Sequence, residues 1–264
     1  MRALLLPVLS ALTLGACVSV SETPMTANAV AKGQLVAAVV YSSPGPAMTE
    51  KSTNMDQMAK VVPGLSLFMS ATQNTRDLEA SRSLQRYLPA TWKPEAAFLP
   101  LLMRELATSG NPGRLVPPAE AGLTDDVVAG FNHSDTVTDW LVRYCVANPD
   151  NPAPRNYTAV PGLKGALVLE VNLAYGAPAD GSDHWTPNLD AVTKLYRASD
   201  LALLWRHEDV VENAAGMKSS SEFEKNPADL IAKWQGLMPA LAKTISDNFS
   251  RNLQSAGVYV ATPP

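Results

Sequence analysis

Cysteine, histidine, basic charge and long apolar runs are all scarce in this chain, and each shortage closes off a class of function. Two cysteines among 264 residues exclude a disulfide-framed scaffold and a four-thiolate zinc site. The three histidines are the natural acid–base or metal candidates. His207-Glu208 begins like a zinc-protease motif, but Val211 stands where the second histidine is needed, so the two-ligand helical face cannot form. Lys and Arg number 21 against 25 Asp and Glu. A net charge of −4 offers no basic stripe to replace the counterions of a nucleic acid. The chain has no Gly-x-Ser-x-Gly elbow and no Gly-rich phosphate loop. The apolar stretch at the start, Ala3 to Leu14, covers only ~18 Å as a helix, short of a ~30 Å hydrocarbon core.

What remains is an ordinary globular composition, 46% hydrophobic and 17% charged, long enough for one good core. The N-terminus is the informative part. A single charge at Arg2, a short apolar run and then small residues make the layout of a secretory signal. The small residues lead into cysteine: Leu14-Gly15-Ala16-Cys17.

Those four residues resemble the lipobox of bacterial lipoproteins, Leu-(Ala/Ser/Gly/Thr)-(Gly/Ala)-Cys, at every position. The resemblance implies lipidation at Cys17: residues 1–16 are removed as a lipoprotein signal peptide, and Cys17 becomes the diacylglyceryl-modified, palmitate-bearing N-terminus. A cysteine is needed there because its thiolate is the nucleophile that forms the thioether. A plain secretory signal with an incidental cysteine is the competing reading. In such lipoproteins Asp after the cysteine favours retention in the inner membrane. Val18 in that place implies the outer membrane, facing the periplasm.

Residues 17–33 are small, polar and aperiodic, and read as a lipidated tether with an r.m.s. span of ~20–25 Å and at most ~55 Å extended. Residues 34–264 then form one periplasmic α/β domain. Strands are expected over Gln34–Tyr41, apolar on both faces, Arg114–Val116 and Gly165–Tyr175. In the last, Leu167, Leu169, Val171, Leu173 and Tyr175 share one side, and Val168, Glu170, Asn172 and Ala174 the other. Ala191–Arg197 and Leu203–Val210, joined by Ala198-Ser199-Asp200-Leu201, read as an antiparallel hairpin. Helices are expected over Thr75–Leu88, Glu95–Ser109, Ser134–Val146 and Pro227–Leu253. Pro100 should kink or delay the second of these, and Pro239 should bend the last. Asn148–Pro161, with four prolines, reads as a surface excursion.

The resulting order is an α/β fold with a mixed sheet flanked by helices. Within it, Lys194–His207 (KLYRASDLALLWRH) and Gly162–Val171 (GLKGALVLEV) resemble segments of envelope accessory lipoproteins, the curli-secretion lipoprotein and the activators of penicillin-binding proteins among them. Leu201 replaces that family's turn glycine. No functional residue carries over, so the resemblance implies a fold and a protein partner in the envelope, not a mechanism.

Few residues offer chemistry. Asp180-Gly181-Ser182-Asp183-His184-Trp185 gathers carboxylates, a hydroxyl and an imidazole, without the spacing of a calcium loop; Asp-Gly-Ser is equally turn chemistry. Asp125-Asp126 and His133-Ser134-Asp135 hold nucleophile-type residues without a catalytic frame. Cys145 reads as a small buried hydrophobe. Trp92 and Trp185 could anchor a partner or pack the core. No catalytic, cofactor-binding or metal-ligating set is assigned. The expectation is a non-enzymatic envelope accessory, scaffold or assembly factor. The alternative is a membrane-tethered hydrolase or a metal- or ligand-binding protein using the 180–185 loop.

Overall fold

The computed structural model of the chain describes residues 22–43, 45–50, 84–110, 112–133, 155–179 and 184–257. Cys17, Cys145, the expected helix over 134–146, most of that over 75–88, and residues 180–183 of the candidate loop lie outside them.

The frame is one mixed sheet. Its first strand, β1 (Leu35–Ser42), lies parallel to β3 (Arg114–Val116) on one side and to β4 (Leu167–Ala179) on the other. β6 (Asn188–Arg197) runs antiparallel to β4, and β7 (Leu203–Glu212) antiparallel to β6. The spatial order of the five main strands is β3-β1-β4-β6-β7. Past the end of β1, β2 (Ala47–Glu50) pairs with the last four residues of β4. Two-residue strands β5 (His184–Trp185) and β8 (Lys218–Ser219) close that end.

β4 lies at the centre and explains its own sequence. Both of its faces are covered, so a continuous apolar run is what burial demands. Leu167, Leu169, Val171, Leu173, Tyr175 and Ala177 enter the larger core, and Val168 the smaller. The strand runs four residues beyond the expected stop at Tyr175, through Pro178. Partners on either side, Thr49 and Glu50 of β2 and Trp185 of β5, hold that extension.

The larger core is roofed by two helices. α1 (Pro94–Thr108) packs over β1, and the 29-residue α4 (Pro227–Ser255) over β6 and β7; the two helices also touch each other. Pro94 opens α1 at its first turn, where a missing N–H costs nothing. Pro100 neither delays nor ends α1. It sits on the exposed side, as does Ala96, whose carbonyl it leaves unbonded, so water can take up that group. α4 presents Leu230, Trp234, Leu237, Met238, Leu241, Ile245, Phe249 and Leu253 to the sheet, the stripe its 3.6-residue period demands. A short helix, α3 (Ser220–Lys225), precedes it, opened by a capping box between Ser219 and Glu222.

The opposite face of the sheet is covered by α2 (Asp125–His133) and three-residue or four-residue turns at Pro118–Ala121, Tyr157–Ala159 and Pro161–Leu163. Gly162 is where these turns meet: a Cβ there would stand 2.4 Å from the Ala121 carbonyl oxygen. Only glycine permits that approach. Of the expected surface excursion, the described part exposes Asn156, Thr158, Ala159 and Pro161 but sends Arg155, Tyr157 and Val160 into the interior.

A second correction concerns the N-terminal segment. Composition assigns residues up to 33 to a tether, yet residues 22–33 are built onto the body. Thr23 and Arg206 exchange both backbone hydrogen bonds at 3.1 Å, and Thr26 donates to the Leu204 carbonyl at 2.9 Å. This strap lies antiparallel along the outer edge of β7. Met25, Ala29 and Val30 are buried against the larger core. Small and apolar side chains here fill a seam rather than signal disorder.

Candidate functional site

Two polar clusters lie on opposite faces of the sheet, and neither stands out in the sequence as a motif. The first is under the turns. β4 alternation turns Glu170 and Asn172 to that face, and β6 sets Lys194 directly opposite Glu170. Arg155 reaches down from the turn region to pair with Glu170 at 3.1 Å, both side chains almost wholly buried. The same guanidinium donates to Asn172 Oδ1 at 3.1 Å and lies 3.5 Å from the centre of the Tyr41 ring. Tyr157 donates its hydroxyl to Glu170 Oε2 at 2.5 Å, and Asn172 Nδ2 donates to Oε1 at 2.8 Å.

Burial alone would raise the Glu170 carboxyl. The charges of Arg155 and Lys194, with the hydrogen bonds from Tyr157 and Asn172, outweigh it and hold Glu170 below its ordinary value of 4.5. Tyr157 moves the other way: burial, then the Glu170 charge, push its hydroxyl well above 10. Glu170 is thus a fixed anion whose two oxygens are spent on neighbours. That is the chemistry of a structural clamp, not of a base awaiting a substrate.

The second cluster sits between β7 and the C-terminal half of α4. His207 faces the helices because Thr193 opposite it does. Its Nδ1 lies 2.9 Å from Glu22 of the strap, and its Nε2 lies 2.9 Å from Asn248 Nδ2 and 3.5 Å from Asp209 Oδ1. Asn248 also donates to Asp209 Oδ1 at 2.5 Å. Trp205 stacks on the imidazole, ring centres 5.9 Å apart. The hydrogen bond to Asp209 raises the His207 pKa; desolvation opposes, and the charges of Asp209 and Glu22 add to the rise. His207 is therefore on a strand, as its sequence context implies, but it is half-buried and engaged.

Among the described residues, those singled out from sequence do not converge. His184 is exposed on β5 beside Ser219, whereas Trp185 is buried. Asp125 and Asp126 open α2, where acidic side chains offset the helix dipole. Trp92 stacks on Trp234 at 6.4 Å and meets Tyr175 edge-on at 6.3 Å, which is packing. Among the described residues no group of three or more His, Cys, Asp or Glu could hold a metal ion. The signal for the Glu170 cluster was present in sequence: a carboxylate and an amide two apart inside a strand otherwise apolar on both faces. Its partner Arg155 was hidden in a proline-rich stretch that gives no period.

No family model matches the chain, and no curated protein matches it. Solved structures with a similar course include a hypothetical protein from Chlamydia trachomatis, at 11% identity and a TM-score of 0.37 over 85% of this chain and 99% of that one. Lipoprotein GNA1162 from Neisseria meningitidis gives 11% and 0.29, over 83% of this chain and 99% of that one. The LpoB C-terminal domain from Salmonella enterica gives 10% and 0.22, over 71% and 88% respectively. At these identities and scores the likenesses carry no weight for function.

Proposed function

We propose that this chain is a bacterial envelope lipoprotein, anchored through acylated Cys17 to the outer membrane with its α/β body in the periplasm. It serves there as a non-enzymatic accessory, scaffold or assembly factor for another envelope protein. The observation that carries this is the run Leu14-Gly15-Ala16-Cys17 placed directly behind a charged start and a twelve-residue apolar stretch. Val18 supports the outer membrane as destination. Among the described residues no helix is long and apolar enough to cross a membrane. Several acyl chains on Cys17 would hold the body at the bilayer, at ~0.8 kcal/mol per buried CH₂.

The body supports an accessory role through what its polar groups do. Glu170 and Arg155 lock one face of the sheet, and His207, Asp209 and Asn248 fasten α4 to β7. The contacts of both clusters tie elements of the body together, with Asp209 Oδ2 left buried and unpartnered. Labelling cells with radioactive palmitate tests the anchor: wild type takes up label and Cys17→Ala does not, whereas equal label in both overturns it. Recovery of a defined envelope protein from crosslinked membranes supports the accessory role. Recovery of lipid and porins alone counts against it.

A further inference from the structure

The strap fixes how the body must lie once Cys17 is in a bilayer, an inference that rests on the anchor proposed above. Thr23 is locked to Arg206 by two backbone hydrogen bonds. The strap therefore begins by Glu22, and four residues, 18–21, separate Glu22 from Cys17 in sequence. Fully extended, the chain from Cys17 to Glu22 spans at most ~17 Å. The leash is shorter than the body it holds, whose expected radius of gyration for about 230 residues is ~17 Å with a surface farther out.

Direction follows from pairing. The strap is antiparallel to β7, so from Met25 back to Glu22 it travels toward the C-terminal end of β7. At that end sit Val210, 50% exposed on the face away from α4, and Met217, 42% exposed just past the turn Ala214–Gly216. Among the described residues only Tyr87 is a further large apolar side chain so exposed. Two independent features, the aim of the short tether and the exposed apolar side chains, thus coincide at one end of the domain.

We propose that the C-terminal end of β7, with Val210 and Met217 at its tip, is a membrane-resting surface. Two side chains would hold a free protein to lipid only feebly. A tether of ~17 Å keeps them at millimolar effective concentration beside the bilayer, where a weak contact suffices to orient the body. Glu208 and Glu212 flank Val210, and Lys218 beside Met217 is paired with Asp229 at 2.9 Å. The two carboxylates beside Val210 disfavour anionic headgroups, so the contact is one with a neutral bilayer.

The test uses the full acylated protein on phosphatidylcholine vesicles whose acyl chains carry bromine near the headgroup. Val210→Trp and Met217→Trp report contact as bromine quenching above that of wild type, and Lys243→Trp, on the exposed side of α4, is the control. Flotation with the vesicles reads the anchor separately. The expected result is flotation of all three, with added quenching at 210 and 217 roughly twice or more that at 243, as for side chains at the interface. Inserting twelve Gly/Ser residues between Ser21 and Glu22 should preserve flotation and abolish the added quenching. Flotation with equal quenching at all three positions overturns the surface and leaves the anchor intact. Failure to float overturns both.

Discussion

Glu170 is the residue on which the smaller core turns. It is buried with Arg155 in contact, and removing one member of such a pair strands the other charge. Glu170→Ala should lower unfolding free energy by about 3–5 kcal/mol, measured by urea denaturation at neutral pH. The pH dependence has a definite sign. Because folding depresses the Glu170 pKa, its contribution is present above about 4.5 and is lost as pH falls through the lower folded value. Glu170→Gln should flatten that acid limb of stability, and an unchanged limb would show that the clamp is not what fails in acid. Leu201 makes a different residue-scale case. Sequence shows it only as a leucine in place of a turn glycine; the structure gives it φ +59°, the left-handed region that L residues enter at a cost of ~1–2 kcal/mol. Asp200 makes the turn possible by accepting from Ala202 N at 3.1 Å and pairing with Arg197 at 2.8 Å. Leu201→Val, β-branched, should lower the melting temperature, while Leu201→Asn should hold or raise it.

At the scale of elements, the sequence pattern reads well where an element is long and regular. The stripe of α4, the faces of β4 and the β6–β7 hairpin all follow the pattern visible in the chain. It fails where burial is achieved by short turns or by a seam. Tyr157 and Arg155 lie in turns too short to show a period, and Met25, Ala29 and Val30 are spaced by the groove they fill. The candidate clusters are less legible still, since their members come from strands and turns far apart in sequence. The strap also carries a pH response. His207 is raised above 6.5 by Asp209 first, with Glu22 adding. Its protonated form is thus favoured in the fold, a contribution complete below 6.5 and lost as pH rises through the raised value. Glu22 is 64% exposed, so only a small share of this couples to the strap, and less at high salt. Hydrogen exchange at the Thr23, Thr26 and Arg206 amides, corrected for intrinsic rate, should quicken as pH rises above 6.5. In Glu22→Gln that dependence should weaken. Protection that ignores pH in both proteins would remove His207 from the strap's control.

The whole molecule combines a proposed N-terminal address with an α/β body. The α/β fold, a mixed sheet with two helices on one face and turns with α2 on the other, holds a short strap against the middle of β7, with Thr23 on Arg206 and Glu22 beside His207. Of the two cysteines, Cys17 is the proposed point of attachment. Mass spectrometry of the N-terminal peptide from membrane-purified protein tests this most directly. The account predicts a chain that starts at Cys17 and bears a diacylglyceryl group and a further acyl chain. A chain starting elsewhere, or at an unmodified Cys17, would contradict it.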